Sequence, residues 1–248
     1  MQDKDYYDEN LQTDVLVCCN LKKEAKRAVK DIVAAKEELE KFKGKKDLKG
    51  KDTTLLGNMK KISYNIRAHL DMFVVELIGY DGIKEIMMFI EEAQNIKNND
   101  FVSVACQMLA GILAYKVGID AIAGKRARRY MEKFLDLSTL NESTMKQCIR
   151  IFLNMAKSNM EDMFDTMEKA AVKFAEDNET MPYKCLIDGF KSEDPSVAMI
   201  LLKFINEMLF KSEGEEKRQA KFLAKLEGLG IKDLLEIWYQ SDNEDIQG

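Results

Sequence analysis

Three short Gly-Ile steps constrain the fold of this chain more than any other feature: Tyr80-Asp-Gly-Ile-Lys-Glu-Ile86, Lys116-Val-Gly-Ile-Asp-Ala-Ile122 and Gly228-Leu-Gly-Ile-Lys-Asp-Leu-Leu235. Their glycines, at 82, 118 and 230, lie 36 and 112 residues apart, so the second interval is close to three times the first. Each glycine follows one apolar helical stretch and opens another. A break recurring at roughly 36–38 residues predicts stacked helices, each repeat burying its apolar face against its neighbours. Such an array presents long helix-lined surfaces and points toward binding rather than chemistry.

The rest of the chain agrees with helices. Only 2 prolines, at 182 and 195, interrupt 248 residues rich in Leu, Ala, Lys, Glu and Met. Apolar residues recur at helical spacing from Leu21 to Phe42, with Leu21, Ala25, Ala28, Val29, Ile32, Leu39 and Phe42 on or near one face. A lysine-rich breaker at 44–52 separates this helix from a second carrying Leu55, Leu56, Met59, Ile62 and Ile66, with a bend expected before Leu70–Ile78. Asn98-Asn99-Asp100, Asn141 or Ser143, and Asp194-Pro195 read as helix starts, because short polar side chains accept hydrogen bonds from a first turn's free N–H groups. Further helices are expected over 125–137, from Asn159 to about Asp177, around Pro182, and over 215–227 and 231–239. The segments 101–114, 147–155 and 197–209 are apolar over much of their circumference and are expected to be inner helices.

Charge and chemistry narrow the function. A net charge of −5 does not suit a nucleic-acid partner. The charge is uneven, however: residues 22–51 hold twelve Lys/Arg against six Asp/Glu, a basic face able to steer an acidic protein partner. No run reaches 18 apolar residues, so no membrane span is expected. Five cysteines, at 18, 19, 106, 148 and 185, with no secretion-type leader, fit a reducing cytoplasm better than a disulfide scaffold. His69 is the only histidine, which leaves one candidate for any histidine-based triad and none for histidine-rich zinc motifs. Gly44-Lys-Lys-Asp-Leu-Lys-Gly-Lys-Asp52 departs from a phosphate loop in its glycine spacing, in Asp52 where a hydroxyl belongs, and in lacking a preceding strand. Gly228-Leu-Gly230 lacks the strand and third glycine of a dinucleotide loop. No enzyme activity, metal or intrinsic cofactor is therefore expected. The carboxylates Glu161, Asp162, Asp165 and Glu168 align at helical spacing as a solvated run or an acidic wall facing a basic partner.

Several stretches resemble the regulatory region of diaphanous-related formins. Leu186-Ile-Asp-Gly-Phe-Lys-Ser192 followed by Val197-Ala-Met-Ile-Leu-Leu-Lys-Phe-Ile-Asn-Glu-Met-Leu209 is similar to the late part of that family's armadillo region, as is Arg218-Gln-Ala-Lys-Phe-Leu-Ala-Lys-Leu-Glu-Gly-Leu-Gly-Ile231. Cys106-Gln-Met-Leu-Ala-Gly-Ile-Leu-Ala-Tyr-Lys-Val-Gly-Ile119 resembles its Cys-Leu-Lys-Ala-Phe-Met-Asn-Asn-Lys-Phe-Gly-Ile stretch, and Leu55 to Asn65 its GTPase-binding segment. The likeness covers roughly residues 50–248 and implies an all-α, armadillo-like helical-repeat superhelix. Residues 1–95 would be a GTPase-binding segment continuous with the first repeat, and 96–248 the armadillo-repeat (formin homology 3) domain.

In function, the resemblance implies a non-catalytic module that binds a GTP-loaded Rho-family GTPase, with GTP and Mg2+ carried by the partner alone. It also implies an intramolecular ligand, the formin's own C-terminal amphipathic helix, and a cytoplasmic, cytoskeleton-associated location with recruitment to a membrane by the GTPase. Asn65 matches the start of the family's GTPase-contacting asparagine run, with Ile66 and Arg67 in place of the next asparagines. Lys116 matches a family lysine, with Ala114 and Tyr115 where asparagines precede it. Together with the charge-patterned Lys26, Lys30, Lys60 and Lys61, the expected GTPase footprint is Lys26, Lys30, Lys60, Lys61, Asn65, Arg67, Tyr115 and Lys116. A groove for the C-terminal helix is expected on Cys148, Ile149, Phe152 and Met155, flanked by Glu161, Asp162 and Asp165. The spacing of those four apolar residues serves core packing equally well. The alternative to a GTPase effector is a helical-repeat adaptor or scaffold that binds other proteins without regard to nucleotide.

Overall fold

A computed structural model gives the fold, and it describes residues 4–42, 52–68, 71–123, 127–158, 163–211 and 216–239. Among the described residues the architecture is all-α, with no strand. The helices are α1 (Lys4–Lys41), α2 (Asp52–Ala68), α3 (Asp71–Gly79), α4 (Gly82–Asn95), α5 (Asn99–Ile112), α6 (Lys116–Ile122), α7 (Ala127–Leu137), α8 (Glu142–Lys157), α9 (Met163–Asp177), α10 (Lys184–Ile187), α11 (Pro195–Lys211), α12 (Glu216–Gly228) and α13 (Ile231–Tyr239). A 3-10 turn at Asp188–Lys191 joins α10 to α11. The chain divides into two compact units, Met1–Ala121 and Ile122–Gly248. The expected division between residues 95 and 96 falls inside the first unit, because α5 packs on both α2 and α4. His69, the 44–51 breaker and the side chains of Cys18 and Cys19 lie outside the described residues.

In the first unit α1 packs on α3 and α4, burying Leu21, Ala25, Ala28, Val29, Ile32 and Leu39 of the expected stripe alongside residues such as Phe73, Leu77, Ile86 and Phe89, while Phe42, just past the helix end, is half-buried. Met59, Ile62 and Ile66 of α2 are buried where that helix packs on α5, which is itself buried on most of its circumference, as expected of an inner helix. Edge-on contact of Phe89 with Phe101, at 5.8 Å between ring centres, joins α4 to α5.

The second unit contains successive helical layers. α7, α8 and α9 pack together, and α11 then lies along α8 while α12 meets α9 through side chains. Phe152 meets Phe204 at 6.0 Å, and Phe164 meets Phe222 at 6.0 Å. Tyr183 sits at the start of α10 in the left-handed region (φ 67°), a conformation that costs a non-glycine residue free energy. Its surroundings offset that cost. The ring is buried edge-on against Phe222 at 5.5 Å, and the hydroxyl donates to Glu168 at 3.0 Å. Burial pushes the phenol pKa up, and the nearby Glu168 charge adds to the shift.

The three Gly-Ile steps turn out to occupy unequal positions. Gly82 opens α4 at a corner where an added Cβ would lie 2.7 Å from the Leu77 carbonyl oxygen, and Gly118 lies inside α6, where a Cβ would fall 2.1 Å from that of Ile112. Gly230 precedes α13 with a φ of +75°. Two close approaches and one left-handed turn are three separate demands for glycine, so their intervals do not measure a repeat. The polar caps do mark like positions. Asn98 accepts from the Asp100 and Phe101 amides at 3.1 and 3.2 Å, Asn141 from the Thr144 amide at 2.8 Å, and Asp194 from the Ser196 amide at 2.9 Å. They begin α5, α8 and α11, the helices whose apolar circumference predicts an inner position. Within 197–209 the core side of α11 is buried, while Met199, Ile200, Leu202 and Leu209 are half-buried, and Phe210 just beyond is 66 % exposed.

Candidate functional site

An open concavity in the first unit lies between α1 and α2. One stripe of α1 faces the core, and an adjacent stripe, Glu24, Arg27, Ala28, Asp31, Ala35, Glu38 and Lys41, forms a wall at helical spacing. The opposite wall comes from Leu55, Asn58, Met59, Lys61, Ile62 and Asn65 of α2. Together they enclose a cleft of about 610 Å³. Ala28, Ala35, Met59 and Ile62 are buried and make an apolar floor, while Glu24, Arg27, Glu37, Lys41, Asn58 and Lys61 are exposed along the rim. Arg27 lies 4.0 Å from Asp31 in a solvent-exposed pair. Glu37 and Glu38 make no ion pair among the described residues.

The expected GTPase footprint is only partly assembled. Lys61 and Asn65 line the cleft, and Lys60 lies beside them on the exposed face of α2. Arg67 is exposed and donates from Nε to the Ser63 carbonyl at 3.3 Å. Lys26 and Lys30 are exposed on α1 outside the cleft, and the Lys26 ammonium lies 5.9 Å from the centre of the Tyr80 ring. Tyr115 is half-buried, and Lys116 pairs with Asp120 at 2.6 Å on the surface. Sequence reading missed Tyr64, which is 63 % exposed between Lys60, Lys61 and Asn65. The signal was present: Tyr64 falls off the Met59–Ile62–Ile66 face, so a helical projection places it outward. Asn58, Glu37 and Glu38 were also missed.

The expected groove is corrected by the packing of the second unit. Cys148, Ile149, Phe152 and Met155 are all fully buried and belong to the core, where α8 packs against α11. Their spacing records that contact, with no apolar face left open. Glu161 and Asp162 lie outside the described residues. Asp165 is paired with Arg218 of the same chain at 3.0 Å, and that guanidinium also stacks over Phe164 at 5.2 Å. Glu168, expected in the same acidic wall, is likewise engaged inside the unit, by Tyr183 and by Lys225.

Cys106 and Cys148 are buried, and burial pushes the half-buried Cys185 thiol pKa up, which favours its less reactive thiol form. Among the described residues no three His, Cys, Asp or Glu side chains gather to hold a metal ion, and no single helix is long and apolar enough to cross a membrane. No protein-family model and no curated protein matches this chain.

Proposed function

We propose that this chain is a non-catalytic helical-repeat adaptor that binds other proteins through the faces of its helices. The observation that carries the reading is the α1–α2 cleft, an open helix-lined concavity with an apolar floor and a charged rim. That composition suits a protein surface, whose apolar centre supplies binding free energy and whose polar rim supplies specificity. The test is affinity capture from the source cell followed by rebinding with each captured protein in purified form. An adaptor yields at least one purified partner that rebinds at micromolar or tighter affinity, indifferent to added GTP or GDP. Failure of every purified candidate to rebind sinks the reading.

A second reading follows the formin resemblance: an effector of a GTP-loaded Rho-family GTPase. It is favoured by one surface, the outward face of α2, where exposed Tyr64 stands among Lys60, Lys61 and Asn65. An aromatic anchor ringed by cations matches the composition of interface hot spots and suits an acidic partner. Under this reading Tyr64→Ala weakens binding of the GTP-analogue form at least tenfold, and the GDP form binds poorly throughout. Equal binding of both nucleotide forms across a Rho-family panel returns the chain to the adaptor class. Because Cys148, Ile149, Phe152 and Met155 are core, an autoinhibitory helix would have to use a different surface.

A further inference from the structure

We infer that the α1–α2 cleft receives one amphipathic helix from a partner protein, with lysines or arginines along the edge of that helix facing α1; this rests on the adaptor reading above. The shape argues for a helix. Leu55 to Asn65 on α2 spans about 15 Å at the helical rise, the length of about three turns. Ala28 and Ala35 on one wall lie seven residues apart and Met59 and Ile62 on the other lie three apart, so each wall offers a row for a third helix to pack into. A small molecule fits poorly, since such sites are enclosed and mostly apolar, whereas this rim is exposed and charged. Nucleic acid fits poorly too, because the wall from α1 carries more acid than base.

Charge sets the polarity of the occupant. On α1 Asp31 is already paired with Arg27, while Glu37 and Glu38 have no ion-pair partner among the described residues. The α2 wall offers the amides of Asn58 and Asn65 and the ammonium of Lys61. A helix basic along one edge and neutral or acidic along the other satisfies both walls, and its reverse meets repulsion on both.

The test uses the intact chain and two synthetic 15-residue helical peptides of one Leu pattern, one edged with Lys and the other with Glu, followed by fluorescence anisotropy. The Lys-edged peptide is expected to bind at least tenfold more tightly, with an affinity that falls as salt is added. Ala34 lines the cleft at an exposed position, so Ala34→Trp fills it without entering the core and should cost at least tenfold. The cleft-rim double variant E37K/E38K should abolish the preference for the Lys-edged peptide while leaving the circular dichroism unchanged. Equal binding of the two peptides, no binding of either below millimolar concentration, or undiminished binding to a folded A34W overturns the proposal. A purified captured partner that binds A34W as well as the parent chain also overturns it and leaves the adaptor reading standing. That reading falls only if no captured protein rebinds the parent.

Discussion

The two compact units hold their helices by different means. In the second, aromatic and polar ties run between successive layers: Phe152 to Phe204, Phe164 to Phe222, Lys146 to Asp194 at 2.7 Å, Asp165 to Arg218 at 3.0 Å, and Glu168 shared by Tyr183 and Lys225. In the first, the core is mostly aliphatic, α1 is clipped to α4 by Lys36 and Glu85 at 2.9 Å, and α1 and α2 leave a cleft between their outer stripes. A helix in a stacked array closes its faces only where a neighbour supplies complementary side chains. In the second unit α11 and α12 supply them to α8 and α9. Between α1 and α2 the facing residues are alanines, amides and charges around Leu55, Met59 and Ile62, and they leave an open cleft.

The strongest challenge to this contrast is Ile149→Asp. Ile149 is fully buried in the second unit, and an isolated carboxylate there has no partner to offset its desolvation. We expect loss of cooperative thermal unfolding and soluble aggregation, while E37K/E38K on the cleft rim of the first unit melts as the parent does. A folded I149D with a melting temperature within a few degrees of the parent would restore the open groove that its spacing suggested.

A smaller effect probes the clip in the first unit. The Lys36 and Glu85 side chains are only 12 % and 15 % exposed, so removing one leaves the other charged and poorly hydrated. Lys36→Met should cost about 3 kcal/mol in urea unfolding, and K36M/E85M should regain most of that loss. Additive losses in the double variant would mean that the two side chains act through packing and not through their charges.

Ser63 sharpens the contrast in the opposite direction. Its hydroxyl is fully buried with no hydrogen-bond partner among the described residues, on the helix that forms one wall of the cleft. Removing an unsatisfied buried hydroxyl relieves its desolvation, so Ser63→Ala should stabilise the protein by about 1 kcal/mol, seen as a rise of a few degrees in melting temperature. A fall of similar size would mean that the hydroxyl has a partner in solution.

What was legible in the sequence follows from what periodicity measures. Apolar spacing correctly assigned Ala25, Ile32, Met59 and Ile66 to buried faces, and local chemistry found the caps at Asn98, Asn141 and Asp194, because a cap is settled within four residues. Periodicity says that a face is covered without saying by what. Ile149 and Phe152 could therefore be read as a groove until α11 was seen against them. Spacing between glycines misled for a related reason, since Gly82, Gly118 and Gly230 meet different local constraints. The cleft was illegible because it depends on how far two buried stripes stand apart, which neither stripe encodes alone. Tyr64 is legible from its helix face, which sets it outward beside Lys60 and Lys61.

The smallest effect concerns the charge that joins two layers of the second unit. Asp194 begins α11 and accepts from Lys146 of α8, and this hydrogen bond, with that of Ser196, lowers the carboxyl pKa to about 2. The folded value lies below the ordinary aspartate value of about 3.9, so the contribution is complete above pH ~4 and is lost as pH falls through about 2. The Asp194 side chain is 40 % exposed, and solvent screening holds the effect below about 1 kcal/mol. Asp194→Asn keeps an oxygen able to cap the helix and removes only the charge, so the variant isolates the ion pair from the cap. The parent should exceed D194N in stability at pH 6, with the difference shrinking as pH falls through about 2. A difference that stays constant across that range would assign the contact to capping alone, and would leave aromatic packing and the Asp165 and Glu168 pairs as the ties between these layers.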